Sequence, residues 1–190
     1  MKNLTKIMMA VCFLTIATVF AQNKDYSSEP GYVEFGDLSK FESGQAATEI
    51  YVEENLLKMV AKLTQKEEPE IATMINGLKL VKVNTYEITS NNKTAITKKM
   101  EEINKKLEGK NWQRIVRRTS SEDNAYVFVK AGGSDKFVGL VVLAMDEDGE
   151  AAFVNIVGDI DLATIGSLSE KFDIPALGDV QKDGGEKDSK

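Results

Sequence analysis

Four runs rich in β-branched and aromatic residues, at 112–119, 125–131, 137–145 and 151–157, follow one another with only short turns between them. The intervening stretches, Ser120 to Asn124, Gly132-Gly133-Ser134-Asp135 and Asp146-Glu147-Asp148-Gly149, have hairpin composition. Turns this short join strands side by side, so the C-terminal half is expected to be a four-stranded antiparallel meander. The run 137–145 is apolar on both faces, as in a central strand covered on both sides. The run 112–119 carries Arg114, Arg117 and Arg118 and suits an edge.

Upstream the periodicity changes. Residues 48–52 alternate like a strand, and Leu56, Leu57, Val60, Ala61 and Leu63 then recur at helical spacing. Pro69 opens a second short helix whose apolar positions are Ile71, Met74, Ile75 and Leu78 and which ends at Gly77. Residues 80–88 read as a strand. The clearest helix is 92–107, with Ile96, Met100, Ile103 and Leu107 on one stripe and Gly109 as its stop. Its other face is charged, with Glu101 and Lys105, and Glu102 and Lys106, spaced four apart. Residues 32–35 are expected as a short extended piece at the edge of the domain. The fold class is therefore α+β: a mainly antiparallel sheet covered by amphipathic helices, with Ile96, Met100, Ile103, Phe137, Leu140, Val142, Phe153 and Ile156 in the core.

The first 21 residues have a different character. Lys2 and Lys6 precede an apolar run from Ile7 to Phe20 and a small-residue site at Ala21, the pattern of a secretory signal peptide. The apolar run is too short to span a bilayer comfortably. Residues 22–31 then form a polar, flexible leader, 32–177 a single domain and 178–190 a disordered acidic tail. No transmembrane segment remains after cleavage. Export places the chain in the periplasm or outside the cell.

Removing the signal also removes Cys12, the one cysteine, and shifts the formal net charge from −6 to −8. The chain contains no histidine. Disulfide scaffolds, thiol or imidazole metal sites, and Ser-His-Asp or Cys-His catalysis all lack their residues, and no cofactor is expected. An acidic surface repels nucleic acid, so no nucleic-acid partner is expected either.

Five groups are candidates for a site, each beside a structural reading. Asn155, Gly158, Asp159 and Asp161 sit where the last strand would hand over to a helix carrying Leu162, Ile165 and Leu168, a place where backbone amides and carboxylates can meet a ligand. Alternatively, Gly158 permits a close backbone approach and Asp161 caps the helix. Arg114, Arg117 and Arg118, with lysines 98, 99, 105, 106 and 110 upstream, could meet an acidic partner or a membrane headgroup, or could be solvated. Asp146 to Glu150 could bind calcium, yet an EF-hand counted from Asp146 would need its bidentate Glu at position twelve, where Val157 stands. A solvated hairpin turn fits better. Trp112 and Tyr126 form either an aromatic contact surface or a pair in the core. Among thirty acidic residues no spacing singles out a catalytic pair.

Three stretches, Tyr32-Val-Glu-Phe-Gly-Asp-Leu38, Glu53-Glu-Asn-Leu-Leu-Lys58 and Phe153-Val-Asn-Ile-Val-Gly-Asp-Ile-Asp161, together with Trp112 after an amphipathic helix, resemble a family of small exported Bacteroidota proteins known as the domain of unknown function 4252. The resemblance covers roughly residues 32–172. It implies an exported single domain and carries no catalytic residues; a setting in envelope signalling is an expectation drawn from that resemblance alone. Some relatives resemble lipoproteins, and this chain departs from them in lacking a lipid-attachment box before Cys12.

The functional expectation is an exported, non-catalytic binding or interaction module of the cell envelope, whose partner is an envelope protein or a small ligand. A carboxylate-based hydrolase of envelope glycans and a carrier of a small apolar ligand, held in a dry pocket beneath residues 92–107, are the alternatives.

Overall fold

The computed structural model describes residues 24–160, apart from 43–45, 121–122, 134–135 and 147. The signal segment, Asp161 with the helix expected after it, and the acidic tail lie outside the described residues. Six strands form one antiparallel sheet: β1 (Ala47–Glu53), β2 (Leu78–Glu87), β3 (Gln113–Thr119), β4 (Asn124–Ala131), β5 (Phe137–Met145) and β6 (Glu150–Ile160). Their spatial order is β1-β2-β6-β5-β4-β3. The meander β3 to β6 is present as its short turns require, and β1–β2 joins it through β6. Central β5 is buried along most of its length, and arginine-bearing β3 is an edge.

Among the described residues, three α-helices accompany the sheet: α1 (Glu54–Thr64), α2 (Pro69–Gly77) and α3 (Lys93–Glu108). The stripe Ile96, Met100, Ile103 and Leu107 buries α3 in a cluster with Phe128, Val141, Leu143 and Phe153 on one sheet face. On the other face Leu57 of α1 joins Val81, Leu140, Val142, Val154 and Ile156, with Met74 and Ile75 of α2 packed against them. The expected core is thus divided by the sheet into two layers. Phe137 is only half-buried within the second.

The N-terminal segment departs from expectation. Residues 24–31, read as flexible, include a 3₁₀ turn at Tyr26–Ser28 whose Tyr26 is buried with Leu80 and Val157. Residues 32–41 do not pack at the edge. Val33, Phe35, Leu38 and Phe41 join the α3 layer, where Phe41 stacks on Phe153 with ring centroids 6.1 Å apart. Such a polar, Pro-containing stretch has no secondary-structure period to reveal it. Its order comes from tertiary anchors instead.

The main anchor is Asn155, fully buried in the middle of β6. Its Oδ1 accepts the Val33 N–H at 2.8 Å, and its Nδ2 donates to the carbonyls of Gly31 at 2.9 Å and Leu140 at 3.2 Å. One amide side chain thereby satisfies backbone groups of a segment that has no strand partner, which burial requires. The contact is close enough to need glycine on both sides. A Cβ on Gly139 would stand 2.6 Å from Gly31 Cα and 2.7 Å from Trp112 Cη2.

Candidate functional site

Among the described residues, the polar group around Asn155 is spread over separate structural roles. β6 runs to Ile160, and the handover to a helix expected at Asp161 lies outside the described residues. Asn155 is consumed by the N-terminal anchor. Gly158, at φ +140°, lets β6 approach the end of α2, since a Cβ there would come within 2.5 Å of the Gly77 carbonyl oxygen. Asp159 is exposed and lies 3.4 Å from Lys136 Nζ. Asp161 lies outside the described residues.

The arginines are also separated. A register shift between Arg114 and Val116 leaves Ile115 as a bulge. Residues directly opposite one another share a sheet face. Arg114 opposite Phe128 and Arg117 opposite Tyr126 therefore point to the α3 side, while Arg118 opposite Ala125 points to the other. Arg114 donates to Asn104 Oδ1 at 3.1 Å and pairs with Glu108, tying β3 to α3. Arg118 pairs with Asp123 at 2.8 Å. They do not converge on one ligand.

Trp112 and Tyr126 belong to the α3 layer and are buried, so the core reading holds for both. In the β5–β6 hairpin, Asp146 Oδ1 accepts the Glu150 N–H at 2.8 Å and Gly149 takes φ +90°. Its carboxylate serves the turn. No group of three metal-binding side chains occurs among the described residues.

Two shallow clefts flank α3. One, about 230 Å³, is lined by Thr97, Glu101, Ser120 and Tyr126. The other, about 250 Å³, lies where Tyr32 and Glu34 meet Lys106, Lys110 and Lys130. Each presents one carboxylate, whereas acid-base hydrolysis of a glycoside uses two. Lys106 Nζ donates to the Glu34 carbonyl at 3.0 Å, and Lys130 lies 5.6 Å from the centre of the Trp112 ring. These cations hold neighbouring elements together. Beneath α3 the space is filled by its own buried stripe.

A different surface stands out. Among the described residues, the large exposed apolar side chains are Ile50 and Tyr51 on β1 and Leu56, Met59 and Leu63 on α1. Leu63 is 76% exposed and Met59 58%. On α1 only Leu57 and Ala61 are buried, so the helix carries a second apolar stripe, spaced three and four apart, that contacts no core. Ile50 lies opposite Val83 and so shares its sheet face with α1, while Tyr51, opposite Lys82, lies on the other. Between them runs an edge of the sheet that has no strand partner among the described residues. Sequence reasoning gathered Leu56, Leu57, Val60, Ala61 and Leu63 into one helix but missed that they exceed what one buried face can hold. That excess was the available signal.

The start of α1 is held from the N-terminal side. Glu54 pairs with Lys24 at 2.5 Å and Lys58 at 2.6 Å, and its N–H donates to Tyr26 Oη at 3.2 Å. The two lysine hydrogen bonds pull its carboxyl down to about 2. The exposed stripe is thus presented on a fixed helix. No helix among the described residues is long and apolar enough to cross a membrane.

A model of the family described as domain of unknown function (DUF4252) matches residues 41–168. No curated protein and no solved structure matches the chain.

Proposed function

The chain belongs to the DUF4252 family, and from that premise we propose that it is a non-catalytic interaction module of the cell envelope, exported by its first 21 residues and acting through the β1–α1 surface. The observation that carries the reading is the exposed apolar stripe Leu56, Met59 and Leu63 beside an open strand edge. Solvent-exposed apolar clusters of this kind mark interaction sites, and an open edge offers a row of unpaired backbone donors and acceptors. The scattered arginines, the anchored Asn155 and the two single-carboxylate clefts offer no comparable convergence. Export rests on the basic start, apolar run and small-residue site of the N-terminal segment; a role in envelope signalling rests on the family resemblance.

The test is site-specific photo-crosslinking in intact cells, with the probe at Met59 or Leu63 and, as controls, at Arg117 or Asp159. Adducts of defined mass at Met59 and Leu63 alone support the reading. Equal or absent labelling at all four positions contradicts it.

A further inference from the structure

We infer that the occupant of the β1 edge is the β1 strand of a second copy of this chain, paired antiparallel about a two-fold axis at Ile50. This rests on the interaction reading above and adds the partner's identity.

The argument begins with the two sheet edges. β3 is guarded by three arginines and a bulge at Ile115. β1 has an unbroken register with β2, no proline and no basic residue, and its first five residues are all exposed. Soluble proteins commonly guard such edges against pairing. Here the β3 edge is broken by a bulge, while β1, although it carries Glu49 and Glu53, keeps an unbroken row of backbone groups.

Hydrogen-bond parity then selects a register. The Glu87 N–H donates to the Ala46 carbonyl at 3.1 Å, which makes that pair a hydrogen-bonded one and turns Thr48, Ile50 and Val52 inward toward β2. The backbone groups of Ala47, Glu49, Tyr51 and Glu53 face the free edge. A two-fold axis at Ile50 places Ala47 opposite Glu53, Glu49 opposite Tyr51 and Thr48 opposite Val52 of the copy. Every outward residue then meets an outward residue, for up to about eight new hydrogen bonds. No carboxylate opposes another. Moving the axis to Glu49 sets that residue against itself, and moving it to Tyr51 sets Glu49 against Glu53; both oppose like charges, which destabilises a pair. Axes at Thr48 or Val52 oppose no carboxylates either but pair only part of β1, so Ile50 is the symmetric register that uses the whole strand. That is what an isologous interface requires. Pairing also brings the two Ile50 side chains together on the face that carries α1.

Ile50 would form a non-hydrogen-bonded pair with its copy, with Cα atoms about 4.5 Å apart. That lies within disulfide range, about 4.4–6.8 Å. Two copies of Thr48 would stand roughly 13 Å apart along the strands, out of range. The experiment compares Ile50→Cys with Thr48→Cys in the full chain carrying Cys12→Ser, under mild oxidation, alongside sedimentation of the chain with native β1. The expected result is at least tenfold faster intermolecular disulfide formation for Ile50→Cys, and a reversible dimer that Glu49→Pro weakens at least tenfold. Proline at position 49 removes an N–H that faces only the free edge, and circular dichroism checks that the fold is retained. Equal oxidation rates, or a monomer at all concentrations, overturn the copy pairing. If the chain is monomeric while probes at Met59 and Leu63 label a different protein, or label residues 161–190 of the same chain, the second copy is rejected; a different protein leaves the interaction reading standing, and self-labelling removes it too.

Discussion

Replacing Asn155 by Leu should loosen the N-terminal segment before it unfolds the sheet. The side chain is nearly isosteric, so packing in β6 is preserved while three hydrogen bonds disappear. The Val33 N–H and the Gly31 carbonyl lose their partner in a buried site, at about 1–3 kcal/mol for each group left unsatisfied. The Leu140 carbonyl is left with its place in the β5–β6 ladder. The sum is about 2–6 kcal/mol, a large share of the roughly 5–15 kcal/mol that holds a domain together. Urea unfolding followed by circular dichroism measures the loss as a lower midpoint, with a shallower slope because the segment is released ahead of the sheet. Trp112, the one tryptophan, supplies a local probe because it touches the Gly31–Gly139 contact. Its emission should shift to the red in Asn155→Leu at denaturant concentrations where the sheet is intact. A loss under about 1 kcal/mol with unchanged Trp112 emission would refute the anchoring role.

Gly139→Ala attacks the same contact sterically and should cost about 1–3 kcal/mol; combined with Asn155→Leu it should add less than its own loss, because both release one segment. Leu63→Glu should leave the thermal midpoint nearly unchanged, within about 0.5 kcal/mol, since the side chain is 76% exposed, yet it should abolish crosslinking from Met59. Glu54, with its folded carboxyl at about 2 against a reference of 4.5, contributes stability that is fully present above pH 4.5 and is lost as the pH falls toward 2. Thermal melts of Glu54→Gln should show a flatter dependence across that window than the native chain, and parallel curves would contradict the Lys24–Glu54–Lys58 network.

The sheet and helices were legible because they are written in local periodicity. Short turns between residues 112 and 157 left the strands no route but a meander, and the stripe on α3 repeats at helical spacing. The N-terminal segment was not legible because its anchor, Asn155, lies 122 residues from Val33. In the sequence Asn155 is a polar interruption in an apolar strand, and a ligand site was a natural reading. The same holds for the arginines: three basic residues close in sequence suggest one patch, but a bulge and the strand's alternation divide them between faces. The β1–α1 surface was half legible. Its apolar residues were visible, but which of them the sheet would cover depends on how α1 rotates against Val52 and Val81.

Residue-resolved amide exchange along β1, at low and high protein concentration, tests the central claim that this edge is a pairing surface. In dilute protein the amides of Glu49, Tyr51 and Glu53 should exchange fast and those of Thr48, Ile50 and Val52 slowly. On concentration the outward set should slow at least tenfold while the inward set hardly changes. Outward amides that exchange equally fast at every concentration would contradict the account.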